Sequence, residues 1–145
     1  MPTDNESASR SARARTGRFA LIALLAVLAA GTWFAWLGWD TTYDTDADGN
    51  QTGPYEAWQV IGAAVTLLVL TVLGALRLGA LPTALGVGIG FTAGWVATSA
   101  ATDDSGLWVI GAVLVAFGVF LGAYGAAAAV EALTKRRTSR VERSE

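Results

Sequence analysis

The charges of this 145-residue chain are segregated: all ten Lys and Arg residues lie in its two terminal segments or at position 77. Four long apolar runs, 19–39, 57–76, 81–102 and 106–130, fill the space between. The first run holds no charge, and Thr32 is its only hydroxyl side chain, so its 21 residues rise about 31 Å as helix, the thickness of a bilayer core. A backbone in lipid must satisfy its own hydrogen bonds, which leaves helices or closed barrels. Runs of this length are helical spans, and the chain is expected to be an all-α integral membrane four-helix bundle. The expected organisation is a basic tail over 1–18, a bundle over 19–134 with loops at 40–56 and 103–105, and a second basic tail over 135–145. Ser, Thr, Arg and Glu dominate 1–16 and 138–145, and such composition predicts disorder there.

Orientation follows from the same charges, because Lys and Arg near span ends are retained on the cytoplasmic side. Arg10, Arg13, Arg15 and Arg18 precede the first span, Arg77 sits between the second and third, and Lys135, Arg136, Arg137, Arg140 and Arg143 follow the fourth. Both termini are therefore expected in the cytoplasm, with the protein multi-pass in the plasma membrane. The segments left outside carry Asp40, Asp44, Asp46, Asp48, Glu56, Asp103 and Asp104 and no basic residue. A competing reading takes the first run as a secretory signal peptide, which also begins with basic residues before an apolar core. Against it, the run extends to Trp39, and Ala26 to Gly31 make a poor cleavage site.

Composition removes whole classes of chemistry. The chain has no Cys and no His, so imidazole-ligated haem, thiolate or imidazole zinc sites, thiol-disulfide exchange and His-based triads are excluded. The span interiors contain no ionisable residue, whereas ion and substrate paths through membranes are usually marked by one. Small four-span drug exporters rely on an acid inside the first span, and this chain has none there. Thr32, Thr66, Thr71, Thr92, Thr98 and Ser99 are expected to bond carbonyls one turn back, and Gln59 to bond across helices. No catalytic residue and no cofactor is expected.

Small residues give the packing. Gly86, Gly90, Gly94 and Thr98 recur at every fourth position of the third span, and Gly118, Gly122 and Ala126 do so in the fourth. Such stripes allow close backbone approach. They suit either the bundle interior, with the third and fourth spans as a tight antiparallel hairpin, or a homo-oligomer or partner face through Gly86, Gly90 and Gly94. Pro82 fits the first turn of the third span, and Asp103, Asp104 and Ser105 fit the start of the fourth as caps. Trp36, Trp39, Trp58, Trp95 and Trp108 fall in the outer third of their spans, with Trp33 just below. Anchoring at the headgroup level explains that placement, and the floor of an outward pocket for an apolar or cationic ligand is the alternative.

One segment has a chemical pattern. Asp44, Asp46 and Asp48 alternate ahead of Gly49 and Asn50, as oxygens do at the opening of an EF-hand calcium loop, where Gly permits the sharp turn at the sixth position. The closing half departs from that pattern: Tyr55 stands where the bidentate acid belongs, and Glu56 comes one place late. A weak Ca²⁺ site at Asp44, Asp46, Asp48 and Asn50 and a solvated turn are the two readings. Asn50, Gln51 and Thr52 also match a glycosylation acceptor. The basic tails can hold anionic lipid headgroups, but they are too small a basic surface for nucleic acid.

Trp39-Asp40, Gly53-Pro-Tyr-Glu-Ala-Trp-Gln-Val60 and Asp103-Asp-Ser-Gly-Leu-Trp108, with an Ala, Gly and Arg bias, resemble small four-span membrane proteins of actinobacteria. The resemblance covers the spans and the loops opposite the tails, and it implies no activity. The expected role is a non-enzymatic structural or accessory subunit in the bilayer. The alternatives are an envelope cation sensor using the acidic loop, and a small channel or transporter drawing on Thr92, Thr98 and Gln59.

Overall fold

The computed structural model describes residues 4–40, 42, 44–45, 48–102 and 106–141. Among these are four helices, α1 (Asp4–Trp36), α2 (Ala57–Leu78), α3 (Ala80–Thr102) and α4 (Trp108–Val141), and one pair of two-residue strands, β1 (Asp44–Thr45) and β2 (Gln51–Thr52). All four helices are long and apolar enough to cross a membrane: Ala12–Trp36, Ala57–Leu78, Ala80–Thr102 and Trp108–Arg136 meet the requirement by length and composition. Fold class and span number therefore agree with the sequence reading.

The ends of the helices differ from it in detail. Helix α1 stops at Trp36 rather than 39, because the Trp33 carbonyl accepts from both Leu37 N and Gly38 N at 2.8 Å and closes the last turn. At its other end α1 starts at Asp4, and α4 continues to Val141, so both carry helix into segments whose composition predicts disorder. A helix already nucleated by an apolar span extends at little cost through Ala- and Arg-rich sequence. The 33 residues of α1 and 34 of α4 make helices of about 50 Å, well beyond a 30 Å bilayer core. Asp103, Asp104 and Ser105, expected as caps for α4, lie outside the described residues. The described chain resumes at Gly106, whose φ is +75°, before α4 begins at Trp108.

In section the bundle is a diamond. Helix α3 packs against both α1 and α4, α2 touches all three others, and α1 and α4 occupy opposite corners without meeting. The α2–α3 connection is the single residue Gly79 at φ +87°, a conformation that favours glycine. Its N–H bonds the Ala75 carbonyl at 3.1 Å. That turn, the start of α1 and the end of α4 share one end of the molecule, the basic end. Arg18 Nη2 donates to the Leu78 carbonyl at 3.3 Å, and Glu131 Oε1 accepts from Ala80 N at 2.5 Å. The strand pair lies at the other, the hairpin end.

Helices in lipid gain nothing from hiding apolar surface from one another, so their cohesion rests on contact and hydrogen bonding. The α1–α3 seam is the closest approach. A Cβ on Gly90 would run into the backbone of Ala26, one on Gly94 would lie 3.1 Å from the Ala30 carbonyl oxygen, and one on Gly86 3.1 Å from that of Ile22. Along it lie the buried Ala29, Trp33, Ala84, Val87 and Phe91. The α3–α4 seam is built differently: a Cβ on Gly88 would meet the Cβ and backbone of Phe120 only at ordinary contact distance, 3.4 Å and beyond, and the Trp95 ring lies over Gly111.

Candidate functional site at the hairpin end

The polar side chains that could carry chemistry collect at the hairpin end, and most are engaged with one another. Trp33 is 2% exposed, and its indole N–H donates to Thr98 Oγ1 at 2.9 Å, which ties α1 to α3. Its ring meets Phe91 and Tyr55 edge to face, with centroids 5.5 and 5.7 Å apart. One turn on, Trp36 donates to Thr66 Oγ1 at 3.1 Å and ties α1 to α2. The close fit of that ring requires glycine at position 62, where a Cβ would overlap it. Both threonines also donate back to the carbonyl four residues earlier, Thr66 to Gly62 at 2.8 Å and Thr98 to Gly94 at 3.4 Å. Thr32 and Thr83 do the same, as expected for hydroxyls in apolar helices.

Gln59 joins two chain segments. It is 1% exposed; its Oε1 accepts from the backbone N–H of Glu56 at 2.6 Å, and its Nε2 donates to Asp40 Oδ2 at 3.1 Å. The first bond is half of a capping box at the start of α2. The second fastens the residue that leaves α1 to the helix that follows the loop. Glu56 Oε2 in turn accepts from the Trp58 indole at 2.6 Å, and Trp58 stands edge to face with Trp36 at 6.2 Å. The arrangement clamps both ends of the 40–56 loop onto the bundle.

Within that loop the strands pair Asp44 with Thr52 and Thr45 with Gln51, and Gly49 turns the chain at φ +84°. The backbone thus brings the first and ninth positions of the calcium-loop pattern opposite each other. Asp48 and Asn50 lie in the turn and are exposed, and each is engaged in an interaction of its own. Asp46 lies outside the described residues, as does the side chain of Asp44. Among the described residues no group of three His, Cys, Asp or Glu side chains is placed to hold a metal ion.

The other residues singled out in the sequence are scattered. Gly86, Gly90 and Gly94 are buried, with the Cβ positions of all three directed at α1. Thr98 and Gln59 end in separate hydrogen-bonded groups, on α1 and on the loop. Thr92 lines an apolar cavity of about 520 Å³ between α3 and α4, beside Phe117 and Phe120. Its Oγ1 is the one buried side-chain polar atom without a hydrogen-bond partner among the described residues. Sequence reasoning took the tryptophans as headgroup anchors and overlooked Trp33 and Trp36 as cross-links. Their i, i+3 spacing puts both on one helical side, but nothing local says whether that side faces lipid or protein. No protein-family model matches the chain, and no curated protein or solved structure resembles it significantly.

Proposed function

We propose that the protein is a non-enzymatic structural or accessory subunit of a membrane assembly, multi-pass in the plasma membrane with both termini in the cytoplasm and the hairpin end outward. The observation that carries this reading is the state of α4. Only 6% of its spanning window is buried within the chain, against 50% for α3, and a Cβ on Gly118, Gly122 or Gly125 would meet nothing within 4 Å. A helix destined only for lipid has little use for glycines on its open side, since glycine costs about 1 kcal/mol of helix propensity relative to alanine. The absence of ionisable side chains from the span interiors, and of Cys and His from the whole chain, accords with a role in which any catalysis is a partner's. The likeness of the outward loop motifs to small four-span proteins of actinobacteria belongs to the same reading.

The test is extraction of the tagged protein in mild detergent beside a Gly118→Leu, Gly122→Leu variant. A stoichiometric membrane partner, or a second copy, that accompanies the parent and is lost from the variant is the expected result. A monodisperse single chain in both preparations would sink the proposal. Orientation is checked separately, by labelling single cysteines introduced at positions 12 and 53 from one side of the membrane.

A second reading, cation sensing by the acidic loop, is favoured by the Asp44–Thr52 pairing and the glycine turn. Its measure is thermal unfolding followed by Trp fluorescence in about 10 mM calcium and in chelator. A dissociation constant near 0.1 mM would give about 2.7 kcal/mol of stabilisation, absent from an Asp44→Asn, Asp46→Asn, Asp48→Asn variant. An equal response in the two proteins would reduce the loop to a solvated turn.

A further inference from the structure

At the basic end, on the flank away from α4, a groove of about 300 Å³ opens between α1 and α2. Leu21, Leu24 and Leu28 form one wall, Leu73 and Leu76 the other, and Arg77 stands in its lining. These five leucines are 42% to 58% exposed, so the groove is open to whatever surrounds the spans. From Leu21 to Leu28 it extends about 10 Å along α1.

Two cations sit at its mouth. Arg18 lies three residues before Leu21, hence on the same face of α1, and folds across to the last turn of α2, where its Nη2 donates to the Leu78 carbonyl at 3.3 Å. Arg77 is the neighbouring residue of that turn and is exposed; four residues before it is Leu73, on the same side of α2. Among the described residues neither arginine forms an ion pair with a carboxylate. The nearby acid, Glu131, is turned to Ala80 N at the start of α3. The end of α2 would by itself repel an anion through its free carbonyls. Here Arg18 covers the Leu78 carbonyl and Gly79 N covers that of Ala75, so positive charge prevails.

We propose that this groove is a binding site for an anionic phospholipid of the leaflet at the basic end. One acyl chain lies between the leucine walls, and the phosphate is bound by Arg18 and Arg77. Charge complementarity selects the headgroup: two guanidiniums without carboxylate partners match the paired oxygens of a phosphodiester. Continuity of the apolar groove with those guanidiniums selects a lipid over a free anion. The site is distinct from the α4 face and does not depend on it.

Native mass spectrometry of the purified protein, with phosphatidylglycerol and phosphatidylcholine of identical chains at equal concentration, tests the assignment. The protein should retain phosphatidylglycerol with a preference of roughly tenfold or more, as two juxtamembrane cations imply. R18Q/R77Q should lose most of that preference. R13Q/R15Q, which removes the same charge from exposed positions of α1, should keep it. Leu24→Trp, which fills the groove and leaves the arginines, should lower retention of both lipids. Should R18Q/R77Q fail to fold, R77Q alone serves, since Arg77 is exposed. Equal loss in R18Q/R77Q and R13Q/R15Q would show diffuse attraction and overturn the site. So would displacement of the lipid by glycerol phosphate or inorganic phosphate at matched concentration, or unchanged retention in Leu24→Trp.

Discussion

Helices α3 and α4 carry the same device in sequence and use it in opposite ways. Gly86, Gly90 and Gly94 of α3 are buried against α1, with the Ala26 backbone where a side chain on Gly90 would be. Gly118 and Gly122 of α4, at the same spacing, face open space. The reason lies in the opposing surface. Across from α3, α1 presents Ala26 and Ala30, so two smooth faces meet and backbone lies against backbone. Where α4 meets α3 the fit is looser: a Cβ on Gly88 would lie 3.4 Å from the Cβ of Phe120 and 3.5 Å from its Cα, an ordinary contact, and Gly111 receives the Trp95 ring. A fourfold glycine spacing therefore marks a face that can be approached closely, without naming what approaches it. Hydrogen bonding repeats the contrast: α1 is tied to α2 and α3 through Trp36, Asp40 and Trp33, whereas α4 is joined to the α2–α3 turn by Glu131 at its basic end.

The largest expected effect comes from a single methyl group placed at the tight seam. Gly90→Ala puts its Cβ into the Ala26 backbone; neither helix can yield by a side-chain rotation, so α1 and α3 must separate. A loss at the upper end of the overpacking range, about 3 kcal/mol, is expected in SDS-induced unfolding from mild detergent. If Gly90→Ala unfolds like the parent, the seam is elsewhere and the contrast with α4 collapses.

How much of this was legible beforehand depended on distance along the chain. The four spans were readable because hydropathy is additive along a segment, and the back-bonds of Thr32, Thr66 and Thr98 because an i−4 carbonyl is within reach; Thr92, expected to do the same, leaves its buried Oγ1 without a partner. The role of Gln59 was readable only as a class, a hydrogen bond between segments, because its partners, Asp40 and Glu56, lie on opposite sides of a loop. The faces of Trp33 and Trp36 were not readable at all. An indole at the end of a span satisfies the same local rules whether its N–H meets a headgroup or a threonine 65 positions away, as Trp33 meets Thr98. The tails show the opposite limit: composition speaks for disorder, yet helix runs from Asp4 into the span because the span supplies the nucleus.

Gln59→Leu sharpens the comparison at the loop clamp. The side chain keeps its approximate volume and loses both bonds, leaving the Glu56 N–H and the Asp40 carboxylate without their partner. A loss of about 1 to 3 kcal/mol is expected, together with faster proteolysis inside the 40–56 loop. Normal stability with normal protease resistance would mean that the loop is held by the strand pair alone.

Trp33→Phe should cost less, because the edge-to-face contacts with Phe91 and Tyr55 survive in part and Thr98 keeps its bond to the Gly94 carbonyl. Interhelical hydrogen bonds in membranes are worth about 0.6 kcal/mol on average, and the smaller ring adds a cavity term, so about 1 to 2 kcal/mol is expected. A Trp33→Phe, Thr98→Val double-mutant cycle isolates the bond. A coupling energy of zero would leave packing alone to hold α1 on α3.

The smallest expected effect falls on α4. For the isolated protein, Gly118→Ala and Gly122→Ala should each raise stability by up to about 1 kcal/mol, since alanine is the better helix former and its methyl meets nothing within 4 Å. Their value lies in comparison between two settings. A face that meets only lipid should respond identically in detergent and in native membranes. A face that receives a partner's backbone should gain that stability in detergent, where the chain is alone, and lose in the membrane, where the added methyl groups stand where that backbone must come. Equal behaviour in both settings would make α4 a lipid-facing helix whose glycines have no packing role. A cost seen only in the membrane would make its stripe the counterpart of Gly86, Gly90 and Gly94, with the opposing helix contributed by another chain.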